Sequence, residues 1–165
     1  MTPEDRALLA QRQATFVDFE AERTPALIGF IETLGIEPAK HVVANAAAYL
    51  PHLTKVLREL RCDSDRERTV LSARVSEYIG EVIAQRYGGR WFVNDTPGSP
   101  TFARYVVGQF KLAPGSPVCI DPFEIGMAFA RQPRPRELSL LIEAVERQLQ
   151  SAIGSDLRPA GSLRH

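Results

Sequence analysis

Glu77 and Glu81 are the residues whose type and spacing come nearest to chemistry. They stand four apart in a stretch with helical periodicity, so their carboxylates share one face. Like charges at that spacing mildly destabilise a helix, so an offsetting partner is expected, and Arg74, three residues before Glu77, can supply it. Three readings follow: a solvated helix face, which is the plainest; a glutamate accepting backbone or arginine hydrogen bonds at a helix–sheet junction; and a functional acid pair. Trp91 is the sole tryptophan. It reads either as a core residue seeking a partner for its indole N–H or as an exposed binding anchor. Asp121 precedes Pro122 and reads as a helix cap. Together with Glu81 and Trp91 it marks where an unfamiliar ligand or active site would lie.

Other chemistry finds little footing. His41 and His52 are three helical turns apart, roughly 16 Å, which is too far to share a metal ion. Neither His-Glu-x-x-His nor Cys-x-x-Cys occurs. No metal or cofactor is therefore expected. Ser99 and Ser116 lie in Gly-Ser-Pro turns rather than in a Gly-x-Ser-x-Gly elbow. Gly88-Gly89 follows a helix and precedes a strand, the reverse of a phosphate-binding loop. Arg131, Arg134 and Arg136 form a local basic cluster, read as a solvated loop or as a contact for an acidic partner. Cys62 and Cys119 read as two reduced, buried thiols.

Positioning these residues falls to a chain that reads as mostly helical. Thr2-Pro3-Glu4-Asp5 starts a helix to about residue 22, and Thr24-Pro25 starts a shorter one over about 26–34, stopped by Gly35. Val43, Ala46, Leu50, Leu53, Leu57 and Leu60 alternate spacings of three and four. They predict one long helix kinked at Pro51, or two shorter ones meeting at 49–51. Ser64 and Glu67 open a helix over 65–87 with a broad aliphatic face and a small-residue stripe, Ala73, Ser76, Gly80 and Ala84. We expect other helices on the small side and a sheet on the aliphatic side. Strands follow at about 90–94, 102–112 (with a bulge at Gly108) and 118–120, joined by Pro-Gly turns as an antiparallel meander. Helices at about 121–131 and 136–153 complete the chain.

The predicted class is thus a helix-rich α+β single domain over residues 1–153. Its three-stranded meander at about 90–120 packs on a central helix at about 65–87. Residues 154–165, rich in small and breaker residues, read as a flexible tail. The 165 residues balance 20 basic against 20 acidic side chains, which argues against nucleic acid or an anionic membrane as partner. The acidic amino end lacks a signal-peptide pattern, and no apolar run approaches about 18 residues, so a cytoplasmic protein is expected. Arginine outnumbers lysine 17 to 3, as in GC-rich bacterial genomes.

Tyr78-Ile79-Gly80-Glu81, Gly88-Gly89-Arg90-Trp91 and Asp121-Pro122-Phe123 together resemble a group of uncharacterised small bacterial α+β domains. In that group a helix bearing Y-[IL]-G-E precedes G-G-x-W, and [ND]-P-F follows a short sheet. The likeness covers about residues 70–130. It implies a helix–meander–helix fold and, because some of these domains look like immunity or accessory proteins, a role in binding a partner. Glu81 is the shared residue to test first. The expectation is a non-enzymatic bacterial protein that binds another protein, or a second copy of itself through the heptad-patterned helix. The alternative is a small-molecule-binding domain or enzyme with a site near Glu81, Trp91 and Asp121.

Overall fold

Thr2 begins the first helix with a complete capping box. Its hydroxyl accepts the Asp5 N–H at 3.1 Å, and the Asp5 carboxylate accepts the Thr2 N–H at 2.9 Å. In the structure, a computed structural model that describes residues 1–156, this helix (α1, Pro3–Thr33) does not stop at residue 22. It continues through Pro25 for 31 residues, about 46 Å. A proline inside a helix costs about 3 kcal/mol, and contacts on both sides of it hold the helix in line. Arg23 pairs with Glu81 before it, and Leu27 and Ile31 are buried after it. Gly35, at φ +74°, ends the run in the left-handed conformation.

The predicted long helix over the next stretch is three pieces: α2 (Ala39–Ala44), a 3₁₀ turn (Ala46–Tyr49) and α3 (Leu50–Arg58). The break falls at Asn45, whose amide donates to the His41 carbonyl at 3.1 Å. Pro51 sits in the first turn of α3, where its missing N–H costs nothing. Val43, Ala46, Leu50, Leu53 and Leu57 of the predicted row are buried in the chain's own core, and Leu60 is half-buried.

The next helix (α4, Asp65–Tyr87) has the predicted bounds. Ser64 accepts the Glu67 N–H at 3.1 Å, and Gly88, at φ +64°, closes the other end. The helix is central, packing against α1, the 3₁₀ turn, the sheet and the helix after the sheet. Its surroundings differ from the expected sandwich. The small-residue side takes both a helix and the sheet: Gly126 sits on Ser76, and the Trp91 ring covers Gly80 so closely that a methyl group there would overlap it. On the other side Tyr78 donates to the Ala46 carbonyl of the 3₁₀ turn at 2.5 Å. The strand's indole is its bulkiest group, and the gap over Gly80 is where it fits.

The sheet is the predicted antiparallel meander, in order β1 (Arg90–Val93), β2 (Tyr105–Gly108), β3 (Cys119–Ile120). Trp91 is opposite Val107, and Val107 is opposite Ile120. β2 is shorter than predicted because Ala103 (φ +58°) and Gln109 (φ +54°) bend the chain on either side of it. Gly108 forms no bulge and stays in register between Arg90 and Cys119. A Cβ there would come within 2.9 Å of the Val118 carbonyl and the Cys119 Cβ, so glycine admits the third strand. Asp121 caps α5 (Pro122–Arg131), accepting the Phe123 and Glu124 N–H groups at 3.0 and 3.3 Å. The last helix, α6 (Leu138–Asp156), runs past Gly154. Residues 154–156 of the predicted tail are thus helical, and the rest of it, 157–165, lies outside the described residues. Cys62 and Cys119 are free thiols, each half-buried rather than fully buried. Among the described residues no helix is long and apolar enough to cross a membrane. The fold is α+β.

Candidate functional site

α4 carries a polar row, Arg74, Glu77, Glu81 and Gln85, and α1 lies against it. Glu77 is only 4% exposed and Glu81 is half-buried, so the acid pair does not lie on the solvated face that the sequence favoured, although Gln85 at the end of the row is exposed. Arg74 Nη2 lies 3.2 Å from Glu77 Oε1, the partner predicted from its spacing. Arg23 of α1 pairs with Glu81 and reaches Glu20 at 3.4 Å. Its guanidinium carbon is 5.2 Å from the centre of the Trp91 ring and 5.9 Å from that of Phe19. Gln85 finishes the row by donating to the Val43 carbonyl at 2.7 Å and accepting the Ala46 N–H at 2.9 Å. It thereby clamps the break between α2 and the 3₁₀ turn.

This junction is charged and incompletely satisfied. Arg23 Nε, Arg74 Nε, Trp91 Nε1 and Glu77 Oε2 are buried and make no hydrogen bond among the described residues. Leaving a buried polar atom unpaired costs about 1–3 kcal/mol. Burial pushes the Glu77 carboxyl up to about 7, against the opposing pull of Arg74 and then Arg23. A half-titrated carboxyl beside two fixed cations can change the local charge near neutral pH.

Trp91, 6% exposed, is a core residue and not an exposed anchor. It belongs to an aromatic cluster that ties α1 to the sheet and to α5. Phe19 stacks on Tyr105 at 4.7 Å between ring centres and meets Trp91 edge-on at 5.2 Å; Phe123 lies 5.8 Å from Phe19 and 5.9 Å from Trp91.

Two concavities lie beside this cluster. The larger, about 1200 Å³, is a groove lined by the amino halves of α1 and α4, by residues 103–105 and by α5. Phe19, Tyr105, Phe123 and Met127 give it apolar surface, and Met127 is 44% exposed. Arg12, Arg68, Arg104 and Arg131 line it too. Asp121 also lines this groove, 8% exposed, with Arg104 Nη1 at 2.9 Å. The smaller concavity, about 420 Å³, takes in Arg23, Glu81, Gln85, Arg90 and Trp91. The predicted trio is thus divided: Glu81 and Trp91 line the small cleft and Asp121 lines the groove. Glu77 lines neither.

Sequence reasoning missed Arg12, Phe19, Arg104, Tyr105 and Met127 as groove residues. The only local signal was in α1, where Phe16 and Phe19 are too apolar for a free-standing polar helix. The basic cluster also resolves differently from a solvated loop. Arg136 is 5% exposed and donates to the Leu60 carbonyl at 2.7 Å, while Arg134 reaches the Glu59 carbonyl at 3.4 Å. Those two arginines pin the end of α3, leaving Arg131 to the groove. His41 and His52 are exposed, and among the described residues no group of three potential ligands surrounds a metal-sized site.

No known protein family, curated protein or solved structure matches this chain. The resemblance at Tyr78–Glu81, Gly88–Trp91 and Asp121–Phe123 therefore rests on those residues alone.

Proposed function

We propose that this is a non-enzymatic, cytoplasmic bacterial protein that works by binding another protein through the groove between α1, α4 and α5. The observation that carries the reading is the groove itself. About 1200 Å³ of open concavity exceeds the usual size of a pocket that encloses a small ligand, roughly 300–1,000 Å³, and its apolar side chains are accessible. Met127, at 44% exposure, is a large apolar group that lines it, as at a protein contact. The balanced charge of the chain speaks against nucleic acid or a membrane surface as the partner. The rival reading, a small-molecule or enzyme site built from Glu81, Trp91 and Asp121 together, has less support because those residues line two different concavities.

The test is a quantitative pull-down from the protein's own cells with wild type, Met127→Glu and Leu140→Glu. Leu140 is 61% exposed and does not line the groove, so its variant controls for a surface charge placed elsewhere. A stoichiometric partner that is lost with Met127→Glu and kept with Leu140→Glu is the expected result. Identical partners for all three proteins would end the proposal.

A further inference from the structure

The groove's charge says more about the occupant, on the reading that the groove binds a protein. Its walls carry both apolar and cationic groups. Phe123 and Met127 of α5 present carbon surface, and Arg12 of α1 and Arg131 of α5 stand on separate elements. Both arginines are exposed, and neither takes part in an ion pair among the described residues. The acids of the groove are already engaged: Asp121 holds Arg104 and caps α5, Glu124 reaches Arg104 at 3.5 Å, and Asp65 pairs with Arg68. The charge left without a partner is therefore cationic, and it comes as guanidinium, which receives a carboxylate through two parallel N–H bonds.

We infer that the groove receives an acidic amphipathic segment of a partner protein, its apolar side chains on Phe123 and Met127 and its carboxylates on Arg12 and Arg131. A polyanionic backbone fits less well. The aromatic and thioether surface of Phe123 and Met127 would gain nothing from its phosphates.

A displayed library of random 12-residue peptides (about three helical turns), panned against the full chain, tests this without presupposing a sequence. Fluorescence polarisation of the enriched peptides then compares wild type with Arg12→Glu/Arg131→Glu. Both substitutions are at exposed positions, and circular dichroism checks that the fold is kept. Enriched peptides should combine Asp or Glu with Leu, Ile or Phe. They should lose at least about tenfold in affinity on the double reversal, weaken as salt rises, and compete with one another. Neutral or basic peptides, retention of affinity by the variant, or no enrichment at all would overturn the inference. If the Met127-dependent partner survives in the pull-down while this panning fails, the groove binds a protein of different chemistry. If both fail, the functional reading falls with it.

Discussion

Replacing Glu77 with glutamine should stabilise the protein at alkaline pH and leave it nearly unchanged in acid. Burial raises the Glu77 carboxyl from 4.5 to about 7. Below 4.5 the group is neutral in both the folded and the unfolded chain, and burial costs it little. Between 4.5 and about 7 the unfolded chain ionises first, so stability falls as pH rises. Above about 7 the group is charged in both states and the full cost of the buried carboxylate is present. At about 1.4 kcal/mol per pH unit this interval amounts to about 3 kcal/mol. Glutamine has the same shape, carries no charge, and keeps an oxygen to accept from Arg74, so it removes most of that cost. Glu77→Gln should therefore gain about 1–3 kcal/mol at about pH 8 and within about 0.5 kcal/mol of nothing at about pH 4.5. The charged neighbours are Arg74 and Glu81 on α4 and Arg23 and Glu20 on α1. They are common to both proteins, so the difference between the two pH profiles isolates residue 77. Urea unfolding is followed by the fluorescence of Trp91, the sole tryptophan, and checked against far-UV circular dichroism. A variant less stable than wild type at pH 8 would mean that the attraction of Arg74 and Arg23 exceeds desolvation, and the reasoning would be refuted. Parallel pH profiles would refute it equally.

Gly80→Ala should destabilise by about 1–3 kcal/mol, although alanine is the better helix former, because the new methyl overlaps the Trp91 ring; equal or higher stability in urea unfolding would show that the indole can move aside. Tyr78→Phe should cost about 1–3 kcal/mol, since it leaves the Ala46 carbonyl without its hydroxyl partner; a smaller loss, measured the same way, would mean that this clamp does not hold the 3₁₀ turn.

Local chemistry makes α4 legible in the sequence. Ser64 and Glu67 open it, an aliphatic period of about 100° per residue runs through it, and Gly88 closes it in the left-handed conformation. The Asp121-Pro122 start of α5 and the order of the strands are readable for the same reason. Where the reading fails, a distant part of the chain decides the outcome. Pro25 is a breaker by every local rule, and α1 passes through it because Arg23, Leu27 and Ile31 are held by other elements. The row from Val43 to Leu57 has an unbroken helical period, and the chain still breaks at Asn45. Tyr78 and Gln85 of α4 take both the N–H and the carbonyl of Ala46. Glu77 and Glu81 are recognisable as a pair on one face of α4. Their burial is not, because the helix that covers them arrives from the beginning of the chain and its own apolar stripe is modest.

α1 links the charged junction to the groove. From Pro3 to Thr15 nearly all of its side chains are exposed, and only Asp5 and Leu9 are partly covered. Its first anchors are on Tyr105, whose hydroxyl lies 2.6 Å from the Thr15 hydroxyl and donates to the Arg12 carbonyl at 3.4 Å; Phe16 and Phe19 in the aromatic cluster follow, and then Arg23 on Glu81. Arg12 reaches the groove only because those anchors fix the direction in which the helix leaves the body. If the groove binds a partner as proposed, Glu81 can influence that binding without lining the groove. On the proposed reading, weakening its hold on Arg23 would remove one of several supports of the wall that carries Arg12, whereas the groove face of α5 is fixed independently by Gly126 against Ser76. A binding defect at Glu81 would then resemble the loss of Arg12 far more closely than the loss of Met127. On the proposed reading of the groove, Glu81 would act on binding through Arg23 rather than by touching the partner.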